Sequence, residues 1–439
     1  SAEKFANVGG WRSHFASAES ARLGVPADVV GGNRQLNRPQ IGDHFDPSCD
    51  VDLSDCQWES ISIPQSLAYN LSEYESKREN SQLTFQYRPV ESITTTFDYT
   101  YSKLNLERAY HDLSAWFNGQ GSINQTSEWD SHPISTPLMY REEGGNNDFA
   151  MGIGRDGFKN VNESLGFNID WFASDNLSLN YDYHDSDAGS GANSPFGTSS
   201  LVTMASFNRN ISKVYFTEDF PILELGLNPN DPNTPQEGGE SRPLYKDDMV
   251  ITGSVFGNGL SNMNIKQHRF SGKYDVDDGT TIDFGLLHTE VSNRSRSSNV
   301  QRDTWGGISD PGFISDVLVR TTMTDNFDDI SGGDNELRQV ESFYTSLEDL
   351  TDLARLLPVN EPDSINTGTC VPEPFRDFYC ASDVWTVDKA TEETSKAAYV
   401  NVNYDLYPVN MNIGVRYETT EVVSTAFVPK YIATSWTGG

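Results

Sequence analysis

Four stretches of the chain alternate apolar and polar residues with a period of two, and each doubles back through a very short turn. In the first, Leu83, Phe85 and Tyr87 and then Ile93, Phe97, Tyr99 and Tyr101 take one face. Gln82, Thr84, Gln86 and Arg88, then Thr94, Thr96, Asp98 and Thr100, take the other, around Pro89-Val90-Glu91-Ser92. The second alternates Leu165, Phe167, Ile169 and Trp171 with Gly166, Asn168 and Asp170, turns at Ala173-Ser174-Asp175-Asn176 and returns through Leu177, Leu179, Tyr181 and Tyr183. The third runs through Phe270, Tyr274 and Val276, turns at Asp277-Asp278-Gly279 and returns through Ile282, Phe284 and Leu286. The fourth runs through Ala398, Val400, Val402 and Tyr404, turns near Tyr407-Pro408 and continues through Val409, Met411, Ile413, Val415 and Tyr417. Residues two apart share one face of a strand, so each stretch predicts an antiparallel hairpin with an apolar and a polar side. The fold class is all-β.

Alternation does not say where the apolar side points. A soluble sandwich buries it, whereas a membrane barrel turns it to lipid and keeps the polar side in the lumen. Three features favour the barrel. An aromatic residue precedes every short turn (Tyr87, Trp171, Tyr274, Tyr404), and tyrosines recur at the far end (Tyr99, Tyr101, Tyr181, Tyr183, Tyr417). Ile93 to Tyr101 and Val409 to Tyr417 are each eight steps, roughly 26 Å along a strand, near the ~25 Å apolar band between the aromatic girdles of an outer-membrane barrel. The connections are also lopsided, with tight turns inside each hairpin and tens of residues between hairpins, as periplasmic turns and extracellular loops would be. The expectation is an antiparallel transmembrane β-barrel with long loops.

Other classes are excluded by composition. Acidic residues outnumber basic ones 64 to 31, a formal charge of −33, so no Lys/Arg-rich face is available for nucleic acid. Mean hydropathy is −0.54, and no apolar run approaches the roughly 18 residues of a membrane helix. Eight Trp, 19 Tyr and 23 Phe are too many for a disordered chain. Gly152-Ile153-Gly154-Arg155-Asp156-Gly157 spells the dinucleotide fingerprint, but a strand and not a helix follows it, and it reads as a loop ahead of that strand. Asp325 to Glu336 has the length of a calcium loop, yet Phe327 and Ile330 stand where a ligand and the turn glycine belong. The seven histidines show no paired spacing, and His184, His268 and His288 read as interfacial or hydrogen-bonded residues. No nucleophile elbow is present. The chain reads as neither an enzyme nor a holder of metal or cofactor. Asp98, Asp170, Asp182, Asp275, Asp283 and Asp405 share the polar sides of the hairpins, where Arg88, Lys273 and Arg416 are expected to meet them across a wet lumen.

Two loop helices are predicted. Thr345 and Glu348 form a capping box ahead of a Leu347, Leu350, Leu353 and Leu357 stripe that Pro358 ends. A shorter helix covers Ala16 to Leu23. The ends of the sequence, Ser1-Ala2-Glu3-Lys4-Phe5 and Ser435-Trp436-Thr437-Gly438-Gly439, read as an internal stretch of a longer protein.

Ser66 to Leu104, His268 to Ser295, the QRDTWGG run Gln301 to Gly307, and Ser395 to Phe427 resemble barrel segments of the TonB-dependent receptors, in the subgroup with very long extracellular loops. A plug domain, its energy-coupling box and a carboxy-terminal strand ending in an aromatic residue have no counterpart here. The resemblance implies that residues 1–439 are a partial barrel domain, about half of a plugged 22-stranded parent. It further implies location in the Gram-negative outer membrane, lipid and lipopolysaccharide around the wall, a TonB complex acting through the plug, and ligand-gated import of a scarce solute. A soluble secreted glycan-binding protein and a passive porin are the rival readings.

Cys49 and Cys56, and Cys370 and Cys380, are close pairs in polar stretches, and of the three possible connectivities the local one suits two loops facing an oxidising exterior. Trp11, Trp58, Trp116, Trp129, Trp305 and Trp385 sit among Asn, Asp, Ser and Gly, a mixture that suits sugars, whose apolar faces stack on aromatic rings. A carbohydrate or other neutral organic ligand is therefore expected ahead of a ferric siderophore, because an anionic chelate calls for a cationic pocket.

Overall fold

The computed structural model describes residues 2–8, 11–15, 60–64, 66–117, 122–126, 134–135, 138–216, 221–228, 242–303, 307–322, 341–357, 364–367, 379–406 and 408–427. Its principal strands, in chain order, are β1 (Ala2–Val8), β2 (Ser66–Val90), β3 (Ile93–Trp116), β4 (Met139–Ser174), β5 (Leu177–Ala192), β6 (Ser199–Tyr215), β7 (Ile222–Leu227), β8 (Val250–Asp277) and β9 (Thr280–Asp303). After these come β10 (Val319–Thr321), β11 (Ser342–Tyr344), the helix α1 (Leu347–Ala354), β12 (Val387–Leu406) and β13 (Val409–Phe427).

The protein is all-β, and its main sheet is antiparallel throughout. β2, β3, β4, β8, β9, β12 and β13 follow one another as an up-and-down meander, with β5 and β6 filling the space between β4 and β8. These two lie end to end. Ala192 of β5 faces Phe158 of β4, and Ser199 of β6 faces Asp156, so they form one line of sheet with a detour over 193–198. Thr198 keeps the ladder intact across the detour: Gly157 N donates to its carbonyl (3.1 Å) and its own N donates to Gly257 O (2.9 Å). Gly197 closes the detour at a φ of 89°, where a Cβ would also lie 2.3 Å from Gly257 O, so glycine is required there.

All four predicted turns form, and all lie at one end of the sheet. Val90 pairs with Ile93, Ser174 with Leu177, Asp277 with Thr280 and Leu406 with Val409. Their chemistry is local. Asp277 Oδ1 accepts from Gly279 N (3.0 Å), and the Ser174 hydroxyl accepts from Asn176 N (3.3 Å), side chains standing in for a turn hydrogen bond. The strands run much further than the alternation suggests, because polar residues such as Glu75 to Ser81 and small ones such as Gly152, Gly154 and Gly157 interrupt the pattern. Gly152 to Gly157 is the clearest correction: it is the interior of β4, not a loop. A Cβ on Gly152 would lie 1.7 Å from Asp112 Oδ1, and one on Gly154 2.1 Å from the Tyr110 ring. The glycines make room for those cross-strand side chains.

The hydrophobic core sits at the loop end. Leu67, Tyr69, Leu113, Ala115, Met151 and Ile153 are buried there. They have the parity of Leu83, Phe97 and Trp171, with no register break between them, so the core occupies the same sheet face as the apolar rows of the hairpins. Loop elements cover it. The β10–β11 ladder brings Phe343 onto β4, where Phe343 N contacts Met151 Sδ at 3.2 Å. Helix α1 buries Leu347, Leu350 and Ala354, and Arg155 pairs with its Glu348 at 2.6 Å. The helix cap differs from the expected box. Ser346, not Thr345, is the N-cap and accepts from Asp349 N at 3.0 Å, while Thr345 is buried. The predicted helix over Ala16 to Leu23 and the loop Asp325 to Glu336 lie outside the described residues.

Candidate functional site

Below the core, toward the turns, the shared face is open, and the register aligns its side chains into rows across the sheet. One row runs Tyr87, Thr95, Ile169, Tyr181, Phe270, Leu286, Ala398, Tyr417. The next runs Ile93, Trp171, Leu179, Gly272, Phe284, Val400, Val415, and a third Leu177, Tyr274, Ile282, Val402, Ile413. These residues are not a core. Tyr87 is 57 % exposed, Leu286 59 % and Ile413 69 %, far from the burial expected of large apolar side chains. Three rows, each spanning five to eight strands, form a contiguous apolar surface well beyond the scattered exposed residues normal in soluble monomers.

On β5, β8, β9 and β12 a polar boundary closes this surface on the core side, whereas Phe85, Phe97 and Phe167 continue the same line on β2, β3 and β4. Tyr183, His268, His288 and Lys396 follow one another on adjacent strands. The two imidazoles stack with centroids 6.3 Å apart, Tyr181 Oη lies 2.8 Å from His268 Nδ1, and Tyr183 Oη donates to Asp185 at 3.0 Å. His268 and His288 are thus hydrogen-bonded, to Tyr181 and Glu290, and they sit in mid-strand rather than near strand ends. His184 has the opposite parity and lies on the polar face. Beyond the boundary is a groove of about 710 Å³ lined by Glu163, Asp187, Asn262, Asn264, Arg294 and Glu392, among others. Asn264 donates to both Asp185 (3.1 Å) and Asp187 (2.9 Å), and Arg294 grips Asp388 through two bonds of 2.9 and 2.5 Å.

The reverse side of the hairpins is polar, and four of its carboxylates accept hydrogen bonds from neutral neighbours. Thr84 donates to Asp98 (2.6 Å), Asn180 to Asp170 (2.8 Å), Asn168 to Asp182 (3.1 Å) and Asn403 to Asp283 (2.7 Å). The expected meeting of these acids with distant cations is not what forms. Lys273 pairs with Asp275 two residues along its own strand (3.3 Å), Arg416 with Glu418 (3.0 Å), and Arg88 bonds the carbonyl of Glu91. Residues two apart share a face at about 7 Å, within reach of a long Lys or Arg side chain. Nearer the loop end the reverse face carries Arg108 against Asp156 (3.0 Å), with its guanidinium 4.3 Å from the Tyr110 ring centroid. Burial pushes the Tyr110 phenol up to about 12 and raises the Asp112 carboxyl, against the backbone N–H groups of Asp112 and Gly152 that favour its charged form.

Of the predicted ligand residues, Trp116 ends β3, about half exposed, and its carbonyl accepts from the buried Arg209 at 2.9 Å. Trp385 precedes β12 and lies under the Arg296 guanidinium, 5.2 Å away. β3 and β9 are four ladders apart, some ~19 Å of sheet, so these two rings do not form one platform. Trp11 begins a short strand, Trp11–Phe15. Trp58, Trp129 and Trp305 lie outside the described residues. So do Cys49, Cys56 and Cys370, whereas Cys380 is disulfide-bonded, and its partner lies outside the described residues too. Among those residues no group of three His, Cys, Asp or Glu side chains forms a metal site.

A further pocket, unforeseen in the sequence, lies where β10 and β11 lean on β2 and β3. It encloses about 320 Å³ and is lined by Tyr69, Leu71, Glu73, His111, Leu113, Thr321, Thr322, Ser342 and Tyr344. The only signal was the parity of His111, odd like the apolar residues of β3. Comparisons with protein-family models, curated proteins and solved structures find no match.

Proposed function

We propose that this chain forms part of the wall of a transmembrane β-barrel in the Gram-negative outer membrane and belongs to an importer of the TonB-dependent kind. One observation carries the reading: the apolar rows are exposed, continuous over as many as eight strands, and backed by a polar face. A bilayer is the solvent that such a surface fits, because the backbone groups of the strands between β2 and β13 are already bonded within the ladders. The Tyr–His boundary then lies at the head groups, and the loop end, with its folded cover, faces outward where a solute is captured. Import would draw on an inner-membrane TonB complex through a plug, and lipid and lipopolysaccharide would surround the wall. A carbohydrate or other neutral organic solute is favoured as ligand, with a ferric chelate second.

The test is the native protein in bacterial outer membranes. Trp171 stands in an apolar row, so lipids brominated in mid-chain should quench its fluorescence, and solute uptake should collapse when the proton gradient is discharged. Recovery of the protein in the aqueous phase without detergent would overturn the membrane reading. Uptake that survives the uncoupler would reduce the importer to a porin. The second reading, a soluble glycan-binding β protein, is favoured by the core and the apolar rows lying on one face, since a further layer could cover both.

A further inference from the structure

The pocket between β2, β3 and the β10–β11 ladder has the makings of a binding site. Its floor is apolar, formed by Leu71, Leu113 and the ring of Tyr69. The Tyr69 hydroxyl is already engaged, donating to Pro221 O (2.8 Å) and accepting from Leu223 N (2.6 Å), so the ring is fixed in place. One wall is Tyr344, 41 % exposed, whose ring meets His111 edge to face at 5.6 Å. The buried His111 Nδ1 has no hydrogen-bond partner among the described residues. A buried polar atom left without a partner costs about 1–3 kcal/mol, and a ligand hydroxyl would relieve that cost. Hydroxyl groups of Thr321, Thr322 and Ser342 and the rim carboxylate of Glu73 complete the lining. Asp112 adds backbone only, because its carboxylate lies on the opposite face over Gly152.

The frame around the pocket is anchored. Arg320 donates to Leu244 O (2.9 Å) and to Glu341 (2.7 Å), holding β10 to β11 and both to the neighbouring loop. No Lys or Arg lines the pocket among the described residues, so an anionic chelate finds no counter-charge. Burial holds His111 toward its neutral form, against the pull of Glu73. An aromatic wall, an apolar floor and a rim of hydroxyl, carboxylate and imidazole groups match a ring that is apolar on its faces and hydroxylated at its edge.

We infer that this pocket binds one or two neutral sugar rings, with Tyr344 as the stacking wall and His111 and Glu73 as hydrogen-bonding partners of the hydroxyls. The inference deepens the import reading by naming the ligand class. It rests on that reading for its biological use alone, and its test is separate from the membrane test.

The experiment is calorimetric titration of the detergent-solubilised protein with maltose, cellobiose and xylobiose, and with ferric citrate as the anionic probe. At least one disaccharide is expected to bind, and Tyr344→Ala to weaken it tenfold or more. Glu73→Gln, at an exposed rim position, is expected to weaken it several-fold with the unfolding midpoint unchanged. Failure of all three disaccharides, binding indifferent to both substitutions, or ferric citrate binding that Tyr344→Ala abolishes would overturn the assignment. A protein that binds disaccharide yet stays in the aqueous phase would keep the pocket and lose the importer, and the converse would keep the importer alone.

Discussion

At the residue scale, the glycines of β4 and two buried charges give the sharpest expectations. Gly152 and Gly154 are empty where Asp112 and Tyr110 cross, and both sit in a ladder that cannot widen. Gly152→Ala should therefore cost ~1–3 kcal/mol, as overpacking does, read as a lower denaturation midpoint in urea. Asp112 gives a pH signature. Its folded carboxyl titrates above the ordinary range because burial disfavours the charge. The associated stability is fully present below the unfolded pKa and is lost as pH rises through the folded one. Asp112→Asn should accordingly raise the melting temperature at pH 7, with the gain shrinking toward zero below the ordinary carboxylate range. Arg242 and Asp248 form a two-bond ion pair (2.8 Å each) with side chains 0 % and 2 % exposed. Asp248→Ala strands a buried guanidinium and should cost ~3–5 kcal/mol, measured by the same denaturation.

At the element scale, the hairpins and the loop cover obey different physics. The hairpins have period-two alternation and two-residue turns, both local properties, and they stand where the sequence puts them. The cover depends on contacts between distant segments, such as Phe343 on Met151 and Glu348 on Arg155. A helix of eight residues such as α1 is too short to persist alone and is held by its buried leucines and its cap. Ser346→Ala should destabilise the cover by about 1 kcal/mol, seen as faster amide exchange in α1 with the β2–β3 hairpin unchanged. Ile413 tests the apolar rows. In lipid, Ile413→Arg should cost ~2–4 kcal/mol near the bilayer midplane, measured by folding into vesicles, whereas on a water-facing strand it should be nearly neutral.

At the scale of the whole molecule, the described sheet has two free flanks. Among the described residues no ladder joins β2 to β13, and β1 covers only Leu67 to Glu73 of β2. Unpaired strand edges are templates for association in water and are costly in lipid. The isolated 439-residue chain should therefore neither insert nor conduct, and a planar-bilayer recording showing discrete conductance steps from this chain alone would contradict that.

What the sequence determined by itself is the part governed by neighbours two residues apart: four hairpins, their turns, and the division of each into an apolar and a polar side. Leu83, Phe97, Trp171 and Ile413 announce that side because nothing but strand parity is needed to sort them. The tertiary structure alone decided what the apolar side meets along its length. It is open toward the turns and roofed by β10, β11 and α1 toward the loops, because the roof is assembled by segments about two hundred residues or more from the strands they cover. For the same reason the pocket at His111 and Tyr344 has no signature in the chain. Its two walls approach only when a loop folds back on β3. The glycine run in β4 shows the limit from the other side, since its letters spell a phosphate loop until the neighbouring strand is seen to need the space.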